Sequence, residues 1–267
     1  MSNGLNISLK SYDSIFQSEE QRNTEEIKPV PISELKPFTE QPFKVKLDED
    51  MDALVESIKQ CGVLTPVIAR PHKDGGYEIL SGHRRVKACE LAGITDIPVV
   101  VKNLDDDTAT ILLVDSNLQR EHILPSEKAF AYQMKLEAMK RQGARVDLTS
   151  AQIGRKLGVE SREVLAEQVG ESRNQISRYI RLTNLIDPIL NMVDNNQIAM
   201  NAAVEISYLG SKEQAAVMQS IEKEETSPSI AQARKMRKFH QDGNLSNAVI
   251  DSIMMEQKPE TVKITLG

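Results

Sequence analysis

The sequence SREVLAEQVGESRNQISRYIRLTNL, residues 161–185, decides the fold of the second half of the chain. Gly170 lies between two segments whose apolar residues recur at helical spacing, and glycine adopts the left-handed conformation of a tight turn more easily than other residues. Ala166, four positions earlier, is small enough to let two helices cross, and Ile176, six positions later, can anchor the second helix. The stretch therefore predicts a helix, a tight turn and a second helix.

The second predicted helix has one apolar and one polar face. Ser172 marks its start, because the Ser172 hydroxyl can cap the amide of Gln175 while the Gln175 side chain reaches back. Ile176 and Ile180 are four residues apart, so they pack toward the protein. The opposite face carries six polar or basic side chains: Arg173, Asn174, Gln175, Ser177, Arg178 and Arg181.

These six side chains are of the types that bind DNA. Arg prefers guanine, Asn and Gln prefer adenine, and the N-terminal residues of such a helix usually meet base edges in the major groove. We expect Arg173, Asn174 and Ser177 to contact bases, and Arg178 and Arg181 to hold phosphates. Double-stranded DNA is the predicted partner, and an ordinary helical hairpin with a solvated polar face is the alternative.

A second informative stretch is SGHRR, residues 81–85. It lies between a predicted strand, residues 77–80, and a predicted helix, residues 84–92. The amides at a helix start and the helix dipole favour a phosphate, and Arg84 and Arg85 can add charged, forked hydrogen bonds. The pattern indicates a site for an anion such as a triphosphate, and the alternative is a helix that begins with two solvated arginines.

A polar cluster, SNLQRE at residues 116–121, follows the apolar part of a helix predicted over residues 105–118. Asn117 and Arg120 of this cluster are suited to form the edge of a ligand site. The alternative interpretation is a frayed helix end.

The chain divides into four predicted segments. Residues 1–26 are polar and predict a flexible tail, and residues 27–121 predict a small α/β unit. Residues 122–243 predict an all-α domain that contains the helix-turn-helix at 161–185. Residues 244–267 form a C-terminal segment in which the last residues alternate like a strand. The expected fold class is therefore α+β.

From residue 126 onward the sequence predicts helices almost without interruption. A helix over residues 126–141 should end at Gly143, and a short helix should end at Gly158. Paired polar residues three positions apart predict capped helix starts at three places. These pairs are Thr149 with Gln152, Ser211 with Gln214, and Ser229 with Gln232.

Composition narrows the class of protein. The net charge is −6, yet residues 135–181 hold ten Lys or Arg against six Asp or Glu, which suits a DNA-binding domain within an acidic chain. No apolar run approaches the roughly 20 residues that span a bilayer, and the first residues lack a signal-peptide layout. The two cysteines and four histidines are scattered, so no metal site is assigned. We expect a cytoplasmic, nucleoid-associated protein without a membrane partner.

Together these pieces resemble the ParB family of DNA partition proteins. The resemblance runs over residues 30–243 and rests on motifs in the family's order: QP at 41–42, GVLTP at 62–66, GHRR at 82–85 and NLQR at 117–120, followed by the helix-turn-helix. It implies a ParB/sulfiredoxin-like N-terminal domain that binds CTP and a helical domain that recognises a palindromic, centromere-like site. It also implies a homodimer that CTP closes into a clamp on DNA, and a ParA-type ATPase as partner.

The resemblance also implies the residues of the nucleotide site. The turn at residues 82–85 would hold the triphosphate of CTP, with Mg²⁺ as a possible companion, and residues 62–66 would approach the cytosine. The implied set is Gln41, Gly62, Val63, Thr65, Gly82, Arg84, Arg85, Asn117 and Arg120.

Three residues depart from the family pattern. His83 stands where the family commonly has glutamate, and Phe43 replaces an arginine that often follows Gln-Pro. Ser116 stands where the family has the glutamate associated with the metal and with hydrolysis, and a serine cannot supply that charge to a hard cation. The resemblance therefore supports binding of CTP better than its hydrolysis, and at most a weak CTPase is expected.

The leading hypothesis is a partition protein that binds a centromere-like site and CTP to form a DNA clamp. The alternative is a helix-turn-helix transcription regulator or nucleoid-occlusion relative without a segregation role. An enzyme on the same N-terminal fold is disfavoured, because a sulfiredoxin-like site needs a cysteine directly before the His-Arg pair, where this chain has Gly82. The last segment, residues 244–267, is expected to be a shortened or partial dimerisation region.

Overall fold

The computed structural model describes residues 27–39, 41–120, 122–146 and 153–256. Its contacts divide the chain into two compact units. The N-terminal unit runs to Gln41 and from Val45 to Asp105, and the helical unit comprises Pro42–Lys44 and the chain from Asp106 onward. The predicted strand near the C-terminus lies outside the described residues.

The N-terminal unit is a mixed five-stranded sheet with two helices, and it has the α/β character that the sequence predicts. The helix predicted over residues 105–118 lies in the helical unit. Its elements are β1 (Ile27–Pro31), a short 3₁₀ helix (Ile32–Glu34), β2 (Leu35–Lys36), α1 (Glu49–Cys61), β3 (Val67–Pro71), β4 (Tyr77–Ser81), α2 (His83–Ala92) and β5 (Asp96–Val101). The strand order is β1-β5-β3-β4-β2. The β1/β5 and β3/β4 pairs are antiparallel, whereas β3/β5 and β2/β4 are parallel.

The core of this unit lies between the sheet and the two helices. Val67 and Ala69 of β3 are fully buried, and they pack with Met51 of α1 and Cys89 of α2. The Asp48 carboxylate caps α1 by accepting the Met51 amide at 3.1 Å, which is the expected cap at a helix start. Cys89 therefore contributes to packing, as its place on the predicted helix indicates.

The helical unit contains only α-helices among the described residues. They are α3 (Asp106–Leu118), α4 (Pro125–Val146), α5 (Ile153–Val169), α6 (Arg173–Leu182), α7 (Asp187–Asp194), α8 (Met200–Ile206), α9 (Ser211–Glu224), α10 (Ile230–Gln241) and α11 (Asn247–Met255). The prediction of an α/β unit followed by an all-α domain is confirmed.

Two predicted helix ends are wrong. α4 continues past Gly143 to Val146, and α5 passes through Gly158 without a break. A glycine inside a helix costs only about 1 kcal/mol relative to alanine, so neighbouring residues that favour the helix can carry it through. The predicted cap at Thr149 and Gln152 lies outside the described residues.

Two buried glutamines tie the last helices together. The Gln214 side chain accepts the Ile186 amide at 2.9 Å and donates to the carbonyls of Asn184 and Leu209, at 3.0 Å each. It thus joins helix ends instead of capping α9, so the predicted Ser211–Gln214 cap is wrong. A Glu213 carboxylate oxygen accepts the Gly210 amide at 2.7 Å instead.

Gln232 both caps the start of α10 and links it to another helix. The predicted box at the start of α10 is confirmed, because Ser229 and Gln232 cap each other's amides at 3.2 and 2.8 Å. The amide nitrogen of the Gln232 side chain also donates to the Ile253 carbonyl at 2.9 Å. The start of α10 is thereby fixed to the end of α11.

A buried ion pair joins α3 to α4. The Lys135 ammonium donates to the Asp115 carboxylate, and the two side chains are 1% and 13% exposed. Both charges are removed from water, so each depends on the other for compensation.

Replacing one member of this pair should lower the free energy of unfolding more than replacing both members. We expect Lys135→Met to lower the free energy of unfolding of the helical unit by about 3–5 kcal/mol, because the Asp115 carboxylate stays buried without its partner. The double variant Lys135→Met/Asp115→Leu should recover most of that loss. Chemical denaturation followed by far-UV circular dichroism measures both, and equal losses in the two variants would contradict the expectation.

Candidate functional site

The predicted helix-turn-helix is confirmed. α5 ends at Val169, Gly170 adopts a φ of +68°, and α6 begins at Arg173. The Glu171 amide donates to the Ala166 carbonyl at 3.2 Å across the turn. Ser172 caps α6, since its hydroxyl oxygen accepts the Gln175 amide at 3.2 Å.

A polar brace fixes this turn to α4. The Lys128 ammonium donates to the Glu171 carboxylate at 2.9 Å, and both side chains are largely buried. Burial opposes the charge on Lys128, but Glu171 outweighs it, so the pKa of Lys128 is raised. Burial and the nearby Glu171 also raise the pKa of Tyr132.

Aromatic and aliphatic packing completes the brace. The rings of Tyr132 and Tyr179 meet edge to face, with centroids 5.7 Å apart. Tyr132 belongs to a buried cluster with Leu136, Leu165 and Ile176, which come from α4, α5 and α6. The brace has no local signal in the sequence, because Lys128 and Glu171 are 43 residues apart and only their opposite charges hint at the pair.

Four predicted DNA-binding residues lie together on the exposed side of α6. Arg173, Asn174, Ser177 and Arg178 are all exposed, and we call this set the recognition face. No acidic residue occurs in α6. Arg173 lies 3.4 Å from a Glu163 carboxylate oxygen, and an exposed pair of this kind holds its members only weakly.

The other two predicted DNA-binding residues are engaged within the protein. The Arg181 guanidinium donates from Nε to the Ser207 hydroxyl at 3.1 Å and from Nη2 to the Ser207 carbonyl at 2.8 Å. The half-buried Gln175 side chain lies 3.6 Å from the Met200 sulfur. Its predicted reach back to the start of α6 is therefore replaced by a contact with α8.

The predicted anion turn begins at a glycine that no other residue could replace without strain. Gly82 has a φ of +104°, and a Cβ there would lie 2.9 Å from Nη2 of Arg85 and 3.0 Å from a Val67 methyl group. α2 starts directly after it, with no side-chain cap. The amides of a first helical turn without a side-chain cap are available to an anion.

The two arginines of the turn have different surroundings. Arg85 donates from Nη1 to the Thr65 carbonyl and to the Pro66 carbonyl, the latter at 2.7 Å, and burial lowers its pKa. Arg84 is partly exposed, and its Nη2 lies 3.3 Å from the Asp48 carboxylate. Arg85 thus ties the turn to the segment before β3, whereas Arg84 retains access to solvent.

The remaining predicted nucleotide-site residues of the N-terminal unit differ in exposure and in local structure. Gly62 ends α1 with a φ of +70°, Val63 packs partly against the core, and Thr65 is exposed. Gln41 lies in a loop, where its backbone N–H donates to the Phe38 carbonyl at 3.4 Å. The structure brings Thr65, Gly82 and Arg85 into direct proximity.

His83, the departure from the family turn, is a packing residue. Only 6% of it is exposed, and its Nε2 accepts the Phe38 amide at 3.4 Å. This hydrogen bond requires an unprotonated Nε2. His83 therefore anchors the loop after β2.

Asn117 and Arg120 belong to the helical unit. The Asn117 side chain is buried and donates to the Leu113 carbonyl at 2.8 Å. The Arg120 guanidinium lies 5.5 Å from the ring centroid of Phe43, the residue that replaces the family's arginine. Ser116 donates to the Leu113 carbonyl at 2.9 Å as well.

Two features are absent from the described ranges, a metal site and a membrane span. No group of three or more His, Cys, Asp or Glu side chains there could hold a metal ion. None of the helices described is both long and apolar enough to cross a membrane.

Comparison with known proteins also gives two domains, but it places α3 in the first of them. Residues 16–118 match the ParB N-terminal domain, and residues 125–242 match the ParB HTH domain. A probable chromosome-partitioning protein ParB of Neisseria meningitidis is 36% identical over 156 residues, covering 58% of this chain and 48% of the relative. A nucleoid occlusion protein of Geobacillus sp. is 30% identical over 195 residues, covering 73% of this chain and 62% of the relative.

A solved structure gives a weaker match. The C-terminally truncated chromosome-partitioning protein ParB from Caulobacter crescentus, complexed to the centromeric parS site, has a TM-score of 0.46 and 22% identity over 85% of this chain and 98% of that one.

The sequence matches cover most of the described residues but only part of the relatives' length. The chain spans about half the length of the Neisseria relative. The two matched domains stand in order and together cover most of the described structure. By these matches the chain belongs to the ParB family.

Proposed function

We propose that the chain is a sequence-specific DNA-binding protein of chromosome or plasmid partition. The observation that carries this proposal is the recognition face of α6, which is exposed, basic and free of acidic residues. α6 has ten residues, so it is about 15 Å long. An α-helix with its side chains is about 10–12 Å across, so it fits the major groove, which is about 12 Å wide.

The positions along α6 separate base contacts from phosphate contacts. Arg173, Asn174 and Ser177 lie in its first five residues, which enter a major groove most deeply. Arg178 follows on the same exposed side and is placed for a phosphate. The brace at Glu171 supports this assignment, because it fixes the turn from which α6 starts.

The cellular role is proposed from the relatives. They include proteins named for chromosome partitioning and for nucleoid occlusion. We favour partition as a homodimer on a palindromic, centromere-like site, with a ParA-type ATPase as partner, in the cytoplasm at the nucleoid. The Geobacillus relative supports a second candidate, a nucleoid-occlusion or regulatory protein without a segregation role. Stimulation of a ParA-type ATPase by the purified chain separates the two roles.

The nucleotide proposal rests on the turn at Gly82. Three features of this turn suit a triphosphate. The helix start has no side-chain cap, Gly82 has no Cβ that would crowd the Arg85 guanidinium, and Arg84 is partly exposed. We assign this turn to the phosphates of CTP, with Arg85 holding the adjoining Thr65 carbonyl in place. CTP bound here would close a homodimer into a clamp on DNA, as in the resemblance drawn from the sequence.

Mg²⁺ finds less support in these residues. Ser116 replaces the family's glutamate, and the neighbouring Asp115 carboxylate is already paired with Lys135. A carboxylate that neutralises a buried ammonium is a poor ligand for a second cation. We therefore propose binding of CTP without efficient hydrolysis.

The DNA proposal is tested by selecting duplexes from a random pool with the purified chain. We expect a common sequence to be enriched. On that sequence Arg173→Ala should cost roughly 1–3 kcal/mol and relax the base preference. Arg178→Ala is the matched control, because it removes the same charge from a phosphate contact. Equal losses from Arg173→Ala on selected and random DNA would make Arg173 a phosphate contact.

The CTP proposal is tested with Arg84→Ala and isothermal titration calorimetry. This change removes the exposed guanidinium of the turn, so CTP binding should be abolished while the melting temperature stays close to that of the wild type. Lys87→Ala is the control, because Lys87 is an exposed cation on α2 that pairs with Glu90. Unchanged affinity for CTP in Arg84→Ala would remove the phosphate assignment.

Turnover of CTP should be slow or absent, since no carboxylate stands at position 116. Release of inorganic phosphate from CTP in the presence of the selected duplex measures it. Ser116→Glu restores the family's residue and should raise the rate. Rapid phosphate release by the wild-type chain would show that another residue serves the metal.

A further inference from the structure

Three residues form a stack where α6 ends. The Tyr208 ring, just beyond α8, lies 3.9 Å from the guanidinium carbon of Arg181 and 3.4 Å from that of Arg237, measured to the ring centroid. Planar groups in contact are separated by about 3.5–4 Å. Two guanidinium groups this close to one centroid therefore lie on opposite faces of the ring.

The stack carries excess positive charge. The Glu205 carboxylate accepts from Arg237 at 2.8 Å and from Arg234 at 3.2 Å. Burial opposes the charge on Glu205, but the two arginines outweigh it and lower its pKa. Two guanidinium groups thus share one carboxylate, and Arg181 is bonded to Ser207 instead. Within the described ranges these three arginines have no other carboxylate in ion-pair distance.

The guanidinium groups retain donors for a ligand. Arg181 uses Nε and Nη2 on Ser207, and Arg237 uses Nη1 on Glu205. A guanidinium has five N–H donors, so each group has N–H bonds left over. Tyr208 is 37% exposed and Arg237 is 30% exposed, so the edge of the stack reaches solvent.

The stack continues the recognition face. Arg173, Ser177 and Arg181 follow one another at intervals of four residues, which places them on one side of α6. Arg181 is therefore about 12 Å from Arg173 along the axis. When the start of a recognition helix lies in the major groove, its C-terminal end leaves the groove toward the backbone.

We propose that the Arg181–Tyr208–Arg237 stack is a phosphate site that grips the DNA backbone beside the bases met by α6. The inference rests on the proposed DNA-binding function. Tyr208 holds both guanidinium groups in place before DNA arrives, which reduces the loss of side-chain freedom on binding. Arg181 thus meets phosphate as part of a cluster that joins α6, α8 and α10.

Salt dependence of DNA binding tests the stack directly. Each phosphate contact contributes about 0.9 to the slope of log binding constant against log salt concentration. Arg237→Gln should lower the slope by about that amount and weaken binding to selected and random duplexes by the same factor. Lys223→Gln is the control, because Lys223 is an exposed cation of the same unit that pairs with Asp251. It should leave the slope unchanged.

Two substitutions of Tyr208 test whether the ring is needed as a stacking surface. Tyr208→Phe keeps the stacking surface and should bind DNA like the wild type. Tyr208→Leu keeps all three arginines but removes the surface, so it should lower the slope as Arg237→Gln does. Thermal melting confirms that each variant is folded.

The outcomes separate this inference from the proposed function. A wild-type chain that binds duplex DNA, with slopes unchanged in both Arg237→Gln and Tyr208→Leu, would overturn the stack alone. A wild-type chain that binds no duplex DNA would overturn the proposed function and the stack with it.

Discussion

The orientation of α6 depends on the ion pair between Lys128 and Glu171. Glu171 lies in the tight turn that starts α6, and Lys128 lies on α4, the longest helix of the helical unit's described part. The pair is largely withdrawn from water. Electrostatic attraction between two charges is stronger in the protein interior than at the surface. Around it the rings of Tyr132 and Tyr179 fill the space between the helices. A recognition helix can present its side chains at fixed positions only if its start is held in this way.

Both proposed binding sites divide their arginines between building the site and meeting the ligand. In the N-terminal unit, Arg85 is bonded to main-chain carbonyls while Arg84 stays partly exposed. In the helical unit, Arg178 is exposed, whereas Arg181 combines both tasks, because it is bonded to Ser207 and keeps donors for phosphate. A guanidinium group suits both tasks, because its five donors and flat faces allow structural bonds while leaving donors for phosphate.

Local features of the sequence predicted most of the fold, and contacts between distant residues account for what it missed. The turn at Gly170 and the cap at Ser172 depend on neighbours within a few residues, and both are confirmed. The partner of Arg181 lies 26 residues away, so a pattern of spacing could not show that its guanidinium is engaged. Gly158 misled the prediction because a glycine marks a helix end only when the following residues cannot extend the helix.

Duplex DNA bound along α6 would shield the amides of that helix from solvent. Amide hydrogen exchange, measured by mass spectrometry on the full chain with and without its selected duplex, detects this shielding. Peptides that cover residues 170–182 should exchange more slowly when DNA is bound. Unchanged exchange in those peptides, with protection elsewhere in the chain, would contradict binding of DNA along α6.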